Sequence, residues 1–125
     1  MKILLDTHAL LWWLADDPQL SAHARSLIAS PSNPVLVSAV SGWEMSIKKA
    51  LDKLDVDLDV LQLELEKNAF EILPVSFEHG IAAGALPLHH RDPFDRMLIA
   101  QAQSESLYLV SVDSRFADYD VDVIW

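Results

Sequence analysis

Four carboxylates of this 125-residue chain, Asp6, Glu44, Asp95 and Asp113, stand where a carboxylate is costly or conspicuous. Asp6 ends the apolar run Ile3-Leu4-Leu5, and Asp113 ends Leu109-Val110-Ser111-Val112. Glu44 falls on a helical stretch that turns by about 100° per residue, inside an apolar arc made by Val40, Ile47 and Leu51. Asp95 repeats the pattern, with Leu98, Ile99 and Ala102 following on one helical face. A carboxylate on a buried face is unfavourable unless it is paired, protonated or bound to a metal.

If the four converge, repulsion becomes the dominant problem. Two carboxylates ~6 Å apart repel by about 3 kcal/mol at an effective dielectric of ~20. Summed over every pair among four, this is of the order of a whole domain's stability, about 5–15 kcal/mol. Protonation or a divalent cation relieves it. An all-oxygen, thiol-free set favours Mg²⁺ or Mn²⁺ over zinc or copper. Each acid also has a plainer role open to it. Asp6 can cap the helix that starts at Thr7, and Asp95 gains from the dipole of its helix's first turn. Asp113 can be a turn residue before Ser114-Arg115-Phe116, and Glu44 can snorkel or pair with Lys48 four residues on. Asp92 before Pro93 reads as a helix cap rather than a ligand.

The elements that must position these residues follow from the hydropathy pattern. Strands are expected at 3–5, 35–37, 71–75, 107–112 and 121–125, where β-branched or leucine runs are bounded by turn residues. Helices are expected at about 8–14, 21–29, 38–51, 60–68, 76–86 and from Asp92 onward. Alternation of this kind predicts an α/β fold: one domain over residues 1–125, three layers, and a central parallel sheet of about four to five strands with helices on both faces. Ligand sites in such sheets lie beyond the carboxyl ends of the strands, which is where Asp6 and Asp113 fall.

The residues now assembled resemble the PIN-domain family, and within it the VapC-type toxins of bacterial toxin–antitoxin pairs. The matching pieces are Leu-Leu-Asp-Thr-His at 4–8, Val-Ser-Gly-Trp-Glu-Met-Ser-Ile-Lys at 40–48, Arg-Asp-Pro-Phe-Asp-Arg-Met-Leu-Ile-Ala-Gln-Ala at 91–102 and Val-Ser-Val-Asp-Ser-Arg-Phe at 110–116. They span nearly the whole chain in the expected order. The third is long and specific, whereas Asp-Thr alone is weak. Ser111 stands where the family often has Thr, a mild departure because the hydroxyl is kept. The resemblance implies a metal-dependent endoribonuclease whose acidic set falls on Asp6, Glu44, Asp95 and Asp113. Asp6 and Asp95 would be primary ligands, with Asp113 and Glu44 completing the cage directly or through water. Bound Mg²⁺ or Mn²⁺ would lower the pKa of its water and stabilise charge on the leaving oxygen. Thr7 or Ser111 would contact phosphate or water. Arg91, Arg96, Arg115, Lys48 and Lys49 would hold the RNA backbone, each also readable as a solvated surface charge.

Charge and composition bound the remaining readings. A formal net charge of -10 argues against broad, charge-driven nucleic-acid binding. It leaves room for a small metal-dependent site, where bound cations reverse the local sign. The absence of Cys excludes a disulfide scaffold and a thiolate nucleophile. With no signal-peptide core ahead of Asp6 and no run long enough to span a bilayer, a cytoplasmic location is expected. His89-His90 lacks the helical i, i+4 spacing of a zinc pair. The resemblance further implies a homodimer and an antitoxin, and a basic inhibitory segment would suit an acidic toxin. The alternative from another class is a catalytically silent module that uses the fold for protein interaction. A receiver domain is disfavoured because no Asp ends the run Leu73-Pro74-Val75-Ser76 and no Lys follows Lys67. A haloacid-dehalogenase-type phosphatase would need an acid where His8 stands.

Overall fold

Short apolar runs and amphipathic stretches fold into five strands and six α-helices in the computed structural model, which describes all 125 residues. In chain order these are β1 (Ile3–Leu5), α1 (Thr7–Leu14), α2 (Ala22–Ala29), β2 (Val35–Ser38), α3 (Ala39–Ala50), α4 (Leu58–Lys67), β3 (Glu71–Leu73), α5 (Phe77–Ala85), α6 (Pro93–Glu105), β4 (Tyr108–Val110) and β5 (Val123–Ile124). A single 3₁₀ turn, Ser114–Asp118, follows β4.

Every helix begins after an Asp or Ser whose side chain accepts a main-chain N–H of the first turn: Asp6, Ser21, Ser38, Asp57, Ser76 and Asp92. These caps occupy orphan donors and set the helix starts. Asp57 starts α4 at Leu58, ahead of the expected Val60, because the cap outranks the onset of the apolar pattern. The third strand stops at Leu73, short of the expected Val75, since Pro74 has no N–H to give to a ladder.

All four strand pairings are parallel, in the order β3-β2-β1-β4-β5. Leu5 lies opposite Val37 on one side and Val110 on the other. The chain travels outward from β1 to β3 and then returns to lay β4 against β1's free side. This reversal is the switch point at which such sheets open a crevice. Alternate residues of β1 feed two cores. Ile3 and Leu5 join Ala9, Leu10, Ile28 and Leu65 of α1, α2 and α4, while Leu4 joins Leu98, Ile99 and Phe116 on the α6 side. Helix α3 gives Met45 to the first core and Val40 to the second, so it straddles the sheet's edge layers. The expected three-layer α/β architecture is therefore the observed one. No helix is long and apolar enough to cross a membrane.

Candidate functional site

Asp6 follows β1 directly and Asp113 lies three residues beyond β4, so the adjacency of these strands brings two acids to one rim. Asp95 comes from the first turn of α6 and Glu44 from the middle of α3. Each acid is held by its own surroundings. Asp6, 5% exposed, accepts the Ala9 N–H at 2.8 Å as the cap of α1 and a bond from the Ser111 hydroxyl. The plain capping role and membership of the cluster thus coexist in one side chain. Asp113 caps the 3₁₀ turn and is gripped by Arg115, with Nε at 3.1 Å and Nη2 at 2.8 Å.

Glu44 is engaged at both oxygens. Oε1 accepts the Thr7 hydroxyl at 2.7 Å and Oε2 lies 2.6 Å from Lys48 Nζ. The pairing at i+4 left open by the spacing is the arrangement found, and Lys48 turns back toward Glu44 rather than away. Of the apolar arc around Glu44, Val40 is buried, but Leu51 ends the helix exposed.

His90, which its spacing removes from consideration as half of a zinc pair, is the residue that sequence reasoning missed. Its side chain is 2% exposed, with Nε2 at 2.8 Å from Asp95 Oδ2 and 3.6 Å from Asp113 Oδ2. One ligand-type atom from each of His90, Asp95 and Asp113 lies within 4.8 Å of the others. Nδ1 of His90 accepts the Asp92 N–H at 3.3 Å, which leaves the ring proton on Nε2. The contact with Asp95 is out of line for a hydrogen bond, so Nε2 is buried without a proper acceptor. His90 therefore offers the acids a partial positive charge and no lone pair. The loop that carries it is irregular, and no local signal marks it. It is tied by Tyr119, whose hydroxyl donates to Pro87 O at 2.7 Å and accepts His90 N–H at 2.8 Å.

Arg96 requires a correction. Expected beside the RNA backbone, it is 8% exposed and spends its guanidinium on main-chain carbonyls. Nη1 donates to Pro87 O (2.9 Å) and His90 O (3.1 Å), and Nη2 to Ala83 O and Leu86 O (both 2.9 Å). Those carbonyls belong to the last turn of α5 or to the loop after it, where helical N–H partners run out, so the guanidinium is consumed as their donor. Thr7 and Ser111 are also interior: their hydroxyls brace Glu44 and Asp6 instead of facing outward. Arg91 and Arg115 are exposed, and Lys48 is half-buried.

The electrostatics show a site short of positive charge. Burial, then the charge of Asp92, pushes the Asp95 carboxyl up to about 6; Glu44 and Asp6 add to this and His90 opposes it. Burial likewise raises Asp6. Asp113 goes the other way, lowered chiefly by its bond from Arg115. Crowded carboxylates whose charged forms are disfavoured in this way are a setting a divalent cation would relieve. The donors that remain, carboxylate oxygens of Asp6, Asp95 and Asp113 with no thiol, fit Mg²⁺ or Mn²⁺. The largest groove is elsewhere, between α1 and α4, and touches the rim only through His8.

Three kinds of comparison with known proteins each give matches. A family model described as the PIN domain covers residues 3–122. The chain is 28% identical over 120 residues to Ribonuclease VapC22 of Mycobacterium tuberculosis (strain ATCC 25618 / H37Rv), covering 94% of this chain and 91% of that protein. Its fold is similar to that in the crystal structure of VapBC2 from Rickettsia felis bound to a DNA fragment from their promoter, with a TM-score of 0.72 at 16% identity over 99% of this chain and 98% of that one. It is also similar to a chain of a toxin–antitoxin complex from Klebsiella pneumoniae, with a TM-score of 0.69 at 20% identity over 98% and 96%. At such identities the structural likeness shows a shared fold.

Proposed function

The chain belongs to the PIN-domain family, and on that premise we propose that it is a metal-dependent endoribonuclease acting as the toxin of a toxin–antitoxin pair. The observation that carries this reading is the rim itself. Asp95 from α6 and Asp113 from the segment after β4 converge with His90, and Asp6, directly after β1, stands on the same rim at the switch point of a parallel sheet; burial, then neighbouring negative charge, pushes Asp95 up to about 6. The relative named as a ribonuclease supports the chemistry, and the fold neighbours named as toxin–antitoxin assemblies support the biological setting.

Asp6, Asp95 and Asp113 would hold Mg²⁺ or Mn²⁺. When bound there, such an ion supplies an activated water and neutralises charge developing at a phosphodiester. The chain's own residues keep the acids aimed. Ala9 N–H and Ser111 orient Asp6, the cap at Asp92 fixes the first turn that presents Asp95, and the 3₁₀ turn presents Asp113. Arg115, whose side chain is 59% exposed, is the basic group placed to leave Asp113 for an RNA phosphate. Arg91 lies exposed just before the same helix.

A partner of the antitoxin kind has a surface to suit it. The groove between α1 and α4, of about 510 Å³, has an apolar floor that includes Leu11, Trp12 and Val56 and a rim that includes Asp55, Asp57 and Glu64. Acidic rims around an apolar floor favour a basic amphipathic segment. The assignment of activity is tested by incubating the purified protein with single-stranded RNA and Mg²⁺ or Mn²⁺. Cleavage that EDTA abolishes is expected, with Asp6→Asn and Asp95→Asn inactive. Undiminished cleavage by both variants would remove these acids from the reaction.

A further inference from the structure

We propose that Lys48 is a built-in cation occupying the Glu44 half of the acidic site, so that the folded chain takes one divalent ion, at Asp6, Asp95 and Asp113, and not two. The inference rests on the metal-dependent reading above and concerns how many ions that site admits.

Glu44 is not free to be a ligand. Its side chain is 7% exposed, and each oxygen already accepts a donor, Thr7 at 2.7 Å and Lys48 at 2.6 Å; Asp113, also engaged at both oxygens, differs in that its donor is the exposed Arg115 side chain, which can swing away. Ser41, 2.9 Å from the same Thr7 hydroxyl, extends this into a chain of contacts across α1 and α3. To reach an ion, Glu44 would have to give up a buried charge-assisted bond. Lys48 lies one turn further along the same helix, so the pair needs no distant segment to be ordered first. Its ammonium, on a side chain 39% exposed, also feels the negative charges of Asp92 and Asp95.

Charge balance gives the same count. Of the four carboxylates, Lys48 neutralises Glu44 and Arg115 neutralises Asp113. One divalent ion then offsets the remaining two of these four charges; even with Asp92 beside them, a second would leave the cluster with a positive excess. A lysine ammonium is a compact point charge and can stand where a small cation otherwise would.

The test counts ions. Mn²⁺ binding to the full-length protein is followed by electron paramagnetic resonance of the free ion, with folding of each variant checked by circular dichroism. Wild type is expected to bind one Mn²⁺ per chain. Lys48→Met is expected to bind two, the second accompanied by the broadening that neighbouring Mn²⁺ ions cause. Lys48→Arg, which keeps the charge, is expected to bind one, as is the double variant Lys48→Met/Glu44→Gln. If Lys48→Met does not fold without metal, Lys48→Gln puts the same question while keeping a hydrogen bond to Glu44. A readout apart from counting is the melting temperature. Metal-free Lys48→Met should melt below wild type, and Mn²⁺ should raise it by more than it raises wild type. Two ions in wild type, or one in both Lys48→Met and Lys48→Gln, would overturn the proposal while leaving the nuclease reading intact. No Mn²⁺ bound by wild type would overturn the metal-dependent reading and this inference with it.

Discussion

Arg96 and Asp95 are adjacent on α6, yet their surroundings are built on opposite terms. The guanidinium of Arg96 meets four main-chain carbonyls at 2.9–3.1 Å and ties the end of α5 and the loop carrying His90 to α6. Asp95 faces the other way, toward Asp92, Glu44 and Asp6, with only an out-of-line approach from His90 to compensate. The chain satisfies the first charge from within. It leaves the second to be satisfied from outside. A buried charge with a full set of internal partners is architecture, while one surrounded by its own sign marks a place where a ligand is expected.

The contrast can be broken from either side. The largest effect is expected at the satisfied charge. Arg96→Met removes the donors of four carbonyls and should lower the unfolding free energy by at least about 3 kcal/mol, read from urea midpoints. An unchanged midpoint would show that water replaces the guanidinium without penalty.

The deficient charge should respond with the opposite sign. In metal-free protein at pH 7, Asp95→Asn removes a repelled carboxylate and should stabilise the fold by on the order of 1 kcal/mol, allowing for screening at a partly exposed rim. The pH dependence sharpens this. Asp95 is protonated up to about 6 when folded, but only up to about 3.9 in an unfolded chain. Between those values the folded state holds the extra proton, so metal-free stability should rise as pH falls from 7 towards 4. Raised Asp6 contributes in the same direction, and the part due to Asp95 should vanish in Asp95→Asn. Asp113 carries the reverse sign, since Arg115 holds its carboxyl below the ordinary value; its contribution is present at neutral pH and lost in more acid solution. Thermal melts across this range decide the matter, and a stability that falls between pH 7 and 5 would contradict the placement of Asp95.

The smallest effect is expected where a buried group meets an exposed partner. His79 is buried, and its Nε2 lies 2.9 Å from Glu105, whose side chain is 46% exposed. Glu105→Gln keeps an acceptor and should shift stability by less than about 0.5 kcal/mol. A larger loss would mean that this rim pair behaves like the interior one.

Much of the architecture was legible because its signals are local. Asp6, Ser38 and Asp92 mark helix starts by their capping chemistry, and Pro93 suits the first helical turn. The acid set was legible from two features: carboxylates after apolar strands, and carboxylates within apolar helical arcs. Two things were read wrongly or missed. Arg96 looked like a surface cation because nothing in its neighbours shows which carbonyls will lack partners after folding. His90 was discounted because local spacing speaks only to ligands on one element, and its partners come from α6 and from the segment after β4.

By itself, then, the sequence determined the alternation of strands and helices, their starting points, and which carboxylates would be costly to bury. The tertiary structure decided the rest. The order β3-β2-β1-β4-β5 set β4 beside β1 and so joined Asp6 to Asp113 across more than a hundred residues of chain. Packing also settled that both oxygens of Glu44 are engaged and which side of α6 is served by carbonyls. The physical reason is range. Caps and periodicity act within a turn or two of backbone, whereas counter-charge is set by whatever the fold brings within a few ångströms.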